Sequence, residues 1–131
     1  MDDALKLTIG GGVALNAVML YSFGYAWLRR GAPFVPTAQR KLDAIFGPSG
    51  LLQPLRSRSH LVDLGSGGGA TVRAAVREGG FGRATGYEIN PALVGYSQLR
   101  SALCPNERHR LKSLWEAELH DADVVHPTTA R

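Results

Sequence analysis

At 131 residues the chain holds at most one ordinary domain. Its net charge of +4 comes without aromatic–basic interleaving or a nucleic-acid-binding motif, so no nucleic-acid partner is expected. The one cysteine, Cys104, excludes an internal disulfide and a Cys-rich metal site, and His60, His109, His120 and His126 show no ligand spacing, so no metal is expected.

The N-terminal end is uncharged for 22 residues, from Leu7 to Leu28. A helix of about 20 apolar residues crosses a hydrocarbon core of about 30 Å. Gly10-Gly11-Gly12 and Asn16 weaken the run, whereas Tyr21, Tyr25 and Trp27 followed by Arg29-Arg30 are interface chemistry. Residues 1–28 therefore read as a single-pass membrane anchor, inserted through residues 7–28. That reading is preferred to a signal peptide, since Met1-Asp2-Asp3 is acidic, and to a buried helix of a soluble domain. Six Lys/Arg against one acid between Arg29 and His60 put the C-terminal side in the cytoplasm or an organelle matrix.

Residues 29–59 form a basic connector. Pro33 and Pro36 exclude regular structure in its first part. Thr37 then precedes a short helix over Ala38–Phe46, which Gly47-Pro48-Ser49-Gly50 stops. Residues 60–131 alternate. Strand His60–Leu64 leads into helix Gly69–Glu78, and strand Ala84–Ile89 into helix Pro91–Leu103, capped by Asn90 and started by Pro91. A third strand is expected over Arg108–Trp115 and a fourth over Ala122–Val125. The β-α-β-α-β-β order predicts an α/β fold with a parallel, Rossmann-like sheet.

The chemistry concentrates at Asp63-Leu64-Gly65-Ser66-Gly67-Gly68-Gly69-Ala70, between the first strand and its helix, with Glu88 nineteen residues after Gly69. Glycines let the backbone turn tightly and approach a ligand, and the next helix turns its amides towards it. The pattern D-x-G-x-G-x-G suits S-adenosylmethionine, with Asp63 facing its amino-acid end and Glu88 accepting both ribose hydroxyls. Gly65 to Ala70 also satisfies the dinucleotide pattern G-x-G-x-x-G/A, with Glu88 at the ribose position. The acid two residues before the first glycine favours the methyltransferase reading.

Pro33-Phe34-Val35-Pro36-Thr37, Val62-Asp63-Leu64-Gly65-Ser66-Gly67, Gly86-Tyr87-Glu88-Ile89-Asn90-Pro91 and Leu114-Trp115 occur in this order and spacing. Together they resemble the small membrane-anchored class I lysine methyltransferases of mitochondria, which act on the c-subunit of ATP synthase or on the adenine nucleotide translocase. The resemblance covers about residues 7 to 125. It implies an S-adenosylmethionine-dependent protein-lysine N-methyltransferase at the mitochondrial inner membrane, its C-terminal side in the matrix, acting on a lysine of another membrane protein. It also implies Asp63, Gly65, Ser66, Gly67, Gly69, Glu88 and Asn90 as cofactor-binding residues, with Thr37 in an element on the cofactor side. No catalytic nucleophile is implied, because such transfer needs a positioned amine and a methyl donor.

The chain departs from that family where G-S-G-D-G-R becomes Gly65-Ser66-Gly67-Gly68-Gly69-Ala70, where Ala92 replaces a tryptophan, and where Ser113 replaces an acid. Only 72 residues run from His60 to Arg131, enough for a partial class I methyltransferase sheet, so a C-terminally truncated product is expected. The alternative function is non-enzymatic: an anchored half-domain that pairs through its open sheet edge with a partner chain or second copy.

Overall fold

The apolar run His60–Leu64 forms β1, an inner strand of the sheet, which has four strands among the described residues. The computed structural model describes residues 3–28, 39–50 and 58–127. Around β1 stand α1 (Asp3–Leu28), α2 (Gln39–Phe46), α3 (Ala70–Arg77), β2 (Arg83–Glu88), α4 (Pro91–Arg100), β3 (Glu107–Leu111) and β4 (Val124–Pro127). The strand order is β3-β2-β1-β4 and all three pairings are parallel. The expected alternation is thus present, and the C-terminal ends of the strands share one edge.

One apolar cluster holds the layers together. Leu42 and Phe46 of α2, Val72, Ala74 and Ala75 of α3, Leu61 of β1, and Phe81 and Ala84 meet beneath the sheet. The Phe46 and Phe81 rings meet edge to face, centroids 6.1 Å apart. Each fully buried large apolar side chain contributes about 1.5–3 kcal/mol.

Boundaries differ from expectation at the C-terminal end. β3 stops at Leu111, because Ser113 Oγ accepts the Trp115 N–H and starts a 3-10 turn over Leu114–Glu116. The fourth strand begins two residues late, at Val124: Ala122 N–H is in a turn to the Leu119 carbonyl, and Asp123 N–H bonds to the His60 carbonyl. It runs on to Pro127, which an edge strand tolerates. α4 ends at Arg100, where Ser101 caps it.

The single-pass span expected over residues 7–28 is not upheld. The helix forms, yet among the described residues no helix is long and apolar enough to cross a membrane. Gly10, Gly11, Gly12 and Asn16 dilute the run, and Asn16 donates to the Gly12 carbonyl at 2.8 Å. The single-pass topology and its orientation rested on that span and fall with it. What α1 does show is a polar contact with α4. The buried Ser22 hydroxyl donates to Asn90 Oδ1 and accepts the Ala92 N–H at 3.0 Å.

Candidate functional site

The glycine loop leaves the C-terminal end of β1 and crosses the end of β2. Gly65, Gly67 and Gly69 have φ of 79°, 51° and 75°, so each requires the left-handed region that glycine adopts freely. Gly65 N–H and Ser66 N–H both donate to the Tyr87 carbonyl, at 2.9 and 3.0 Å, fastening the loop to β2. Ser66 is buried against Gly86, where a Cβ would lie 2.5 Å from Ser66 Oγ and 3.0 Å from Val72. A side chain at 86 would push the loop off the sheet.

Glu88, at the end of β2, is tied to that loop by its carboxylate. Oε2 accepts the Gly67 N–H at 2.9 Å, and Oε1 accepts the Ile89 and Asn90 N–H groups at 2.8 and 2.9 Å. Two carboxylate oxygens offer about four acceptor positions, so capacity for a ligand hydroxyl remains. Asp63 is fully buried at the end of β1. Its Oδ1 accepts from His126 Nδ1 at 2.9 Å, its register partner on β4. That hydrogen bond, opposed by burial and aided by the Asp63 charge, raises the His126 pKa above its ordinary 6.5.

Of the residues expected at the site, Asp63, Gly65, Ser66, Gly67, Gly69 and Glu88 converge on this edge. Asn90 is adjacent, but its side chain caps α4 by accepting from Ala92 and Leu93 N–H, so only its backbone faces Glu88. Thr37 lies outside the described residues, as do residues 29–38 and 51–57 of the connector.

The structure adds residues that spacing does not reveal. Arg73 reaches back one turn along α3 to donate to the Gly68 carbonyl at 2.7 Å, and Ser97 of α4 donates to the Gly67 carbonyl at 3.3 Å. His109 of β3 props the loop from below: a Cβ on Gly69 would lie 2.6 Å from its Cε1. Burial first, and then the Arg73 charge, push the His109 pKa below 6.5, so the ring favours its neutral form. Its Nε2 pairs with Ser101 Oγ at 2.9 Å, which donates to Glu107 Oε2 at 2.6 Å, and Glu107 holds Arg77 Nε at 2.6 Å. The sequence carries two signals of this. Gly86 inside a strand marks a close approach, and Glu107 and His109 alternate with exposed Arg108 and Arg110 at period two.

This network makes a pH prediction. Burial disfavours the charged form of Glu107, but the hydrogen bonds from Arg77 and Ser101 outweigh it and hold its pKa below 4.5. A depressed carboxylate contributes stability above its unfolded pKa and loses it as pH falls through the folded one. Urea midpoints of the wild type should therefore fall faster between about pH 5 and about pH 3 than those of Glu107→Gln. Parallel curves would show that Glu107 is not ion-paired in solution.

Two open concavities of the described residues lie elsewhere. One of about 500 Å³ runs along β3 at Gln98 and Arg108–Lys112, and one of about 540 Å³ lies beside α2. Neither is lined by the glycine loop or Glu88, so the candidate site rests on the donor and acceptor pattern at the strand ends. Among the described residues no His, Cys, Asp and Glu cluster could hold a metal.

A parallel sheet with a glycine loop after β1 and an acid ending β2 is common to dinucleotide-binding and methyltransferase folds, and solved structures place the chain with the class I methyltransferase-like fold. An RNA methyltransferase from Salinibacter ruber in complex with S-adenosyl-L-homocysteine has a TM-score of 0.58 and 32% identity, over 71% of this chain and 60% of that one. A SAM-dependent methyltransferase from Thiobacillus denitrificans shares the fold with a TM-score of 0.56 and 19% identity, over 76% of this chain and 38% of that one. No family model matches the chain.

The curated homologues are lysine methyltransferases. The chain is 42% identical over 94 residues to the ATP synthase c-subunit lysine N-methyltransferase of Xenopus laevis, covering 64% of this chain and 41% of the relative. It is 37% identical over 131 residues to the adenine nucleotide translocase lysine N-methyltransferase of Mus musculus, covering 94% of this chain and 54% of the relative. The chain thus spans about half the length of these relatives, or less.

Proposed function

We propose that the chain binds S-adenosylmethionine at the C-terminal edge of its sheet and serves protein-lysine N-methylation of a mitochondrial membrane protein. The observation that carries this is the Glu88 carboxylate, fastened to the glycine loop through Gly67 N–H, in a chain whose homologues are lysine N-methyltransferases. The residues fit the cofactor. Three left-handed glycines bend the loop over the strand ends, and an acid stands at or next to the end of each central strand.

When bound, the cofactor supplies a methyl group activated on a sulfonium. Glu88 orients the ribose by accepting from one of its hydroxyls, and Gly67 N–H keeps the carboxylate in place. Asp63 supplies negative charge at the amino-acid end, and the loop backbone sets the approach. No residue is assigned as a proton acceptor; positioning of a neutral amine carries the reaction. The proposed target class and mitochondrial location are supported by the substrates in the homologues' names.

The test is incubation of the full chain with methyl-tritiated S-adenosylmethionine and mitochondrial inner-membrane protein. Label on a lysine, lost in Glu88→Ala, is expected; label absent, or on RNA or lipid, overturns the reading. A second reading rests on β4, an edge strand among the described residues whose Val125 is 43% exposed. It could take a further strand from a partner chain or second copy. Light scattering that shows a monomer removes the second copy from that reading.

A further inference from the structure

At the site edge, a histidine stands where the acid of the glycine motif would meet a ligand's cation. Asp63 and His126 are register partners on β1 and β4, both at the C-terminal end of the sheet. Asp63 is fully buried, whereas the His126 side chain is 28% exposed, so the histidine connects the carboxylate with a solvent-accessible ring. Nδ1 lies 2.9 Å from Oδ1, a direct hydrogen bond rather than a distant charge pair. Among the described residues, Asp63 is a charged group that acts on the ring from β1, the strand paired with β4; Asp121 and Asp123 belong to the turn before β4.

We propose that His126 is a proton-linked positioning residue of the cofactor site: its imidazolium neutralises Asp63 in the free chain and gives up its proton when a ligand ammonium takes that role. The proposal rests on the S-adenosylmethionine reading and adds to it a direction of pH dependence. A buried carboxylate is costly without a counter-charge, and two cations beside one carboxylate repel. The ammonium of the ligand and the proton on His126 therefore exclude one another, and the proton passes to buffer.

Opposite signs follow for two measurements. The raised His126 pKa stabilises the free fold fully below 6.5, and that contribution is lost as pH rises through the raised value. Cofactor affinity moves the other way. Below the His126 pKa it increases by up to about tenfold per pH unit, and up to about one proton is released per molecule bound.

The experiment is calorimetric titration of S-adenosylmethionine into the full chain, in two buffers of different ionisation heat, from about pH 6 to about pH 8. The His126 ring is followed by NMR in the same samples. Wild type should release a proton and bind more tightly as pH rises. His126→Gln, which keeps an amide donor for Asp63, should bind with a flat profile and no proton release. Binding by wild type without proton release, or the same profile in His126→Gln, overturns the proposal alone. No binding by a folded chain in which Asp63→Asn still lowers the His126 pKa overturns the cofactor reading, and the proposal with it.

Discussion

Glu88→Ala is expected to weaken S-adenosylmethionine binding by about a hundredfold or more. Hydrogen bonds to a charged group are worth about 1.5–3 kcal/mol each, and in the proposed site the carboxylate serves both a ligand hydroxyl and the loop. Three backbone donors, Gly67, Ile89 and Asn90, lose their acceptor in the variant. These groups can turn to water, since Glu88 is only half-buried, so the fold should survive. Glu88→Gln is the sharper comparison: it keeps one oxygen acceptor but loses the charge and puts a donor beside one of these N–H groups. Its affinity should fall between the two. Equal affinity of wild type and Glu88→Ala in equilibrium dialysis would remove Glu88 from the site.

Gly69→Ala is expected to cost about 2–5 kcal/mol of fold stability and to abolish cofactor binding. The residue sits at φ 75°, where an L side chain costs about 1–2 kcal/mol. Its Cβ would lie 2.6 Å from His109 Cε1 and 2.9 Å from Ser97 Oγ, and overpacking adds about 1–3 kcal/mol. Neither neighbour yields easily. His109 is held by Ser101 and Ser97 bonds to the Gly67 carbonyl, so relief at one point disturbs the loop at another. Gly80 offers the control: at φ 71° with nothing near a Cβ, Gly80→Ala should show the backbone cost without the clash and leave binding intact. A urea midpoint for Gly69→Ala equal to that of Gly80→Ala would mean that the loop relaxes around the new methyl.

The elements legible in the sequence are those with local causes. Glycine spacing locates the loop, and Asn90-Pro91 locates the start of α4 because cap and first-turn proline act within a few residues. Contacts made by folding are hidden. Arg73 is three residues beyond Ala70, and its bond to the Gly68 carbonyl is visible only once α3 turns back over the loop. His126 is 63 positions from Asp63, and only parallel pairing brings them together. The basic run after Glu107 reads as a longer strand because its alternation is clear, whereas the Ser113 cap that ends it is a single-residue signal. At the N-terminus, absence of charge is not sufficient apolarity; glycines and Asn16 carry no charge and add little to the transfer energy.

The central claim is that the glycine loop and Glu88 form a site for S-adenosylmethionine. Calorimetric titration of that molecule into the full chain, with NAD in a parallel cell, tests it most directly. Saturable single-site binding, competed by S-adenosylhomocysteine and matched by no heat from NAD, is the expected result. A folded chain that retains NAD, or that binds neither molecule, would contradict it.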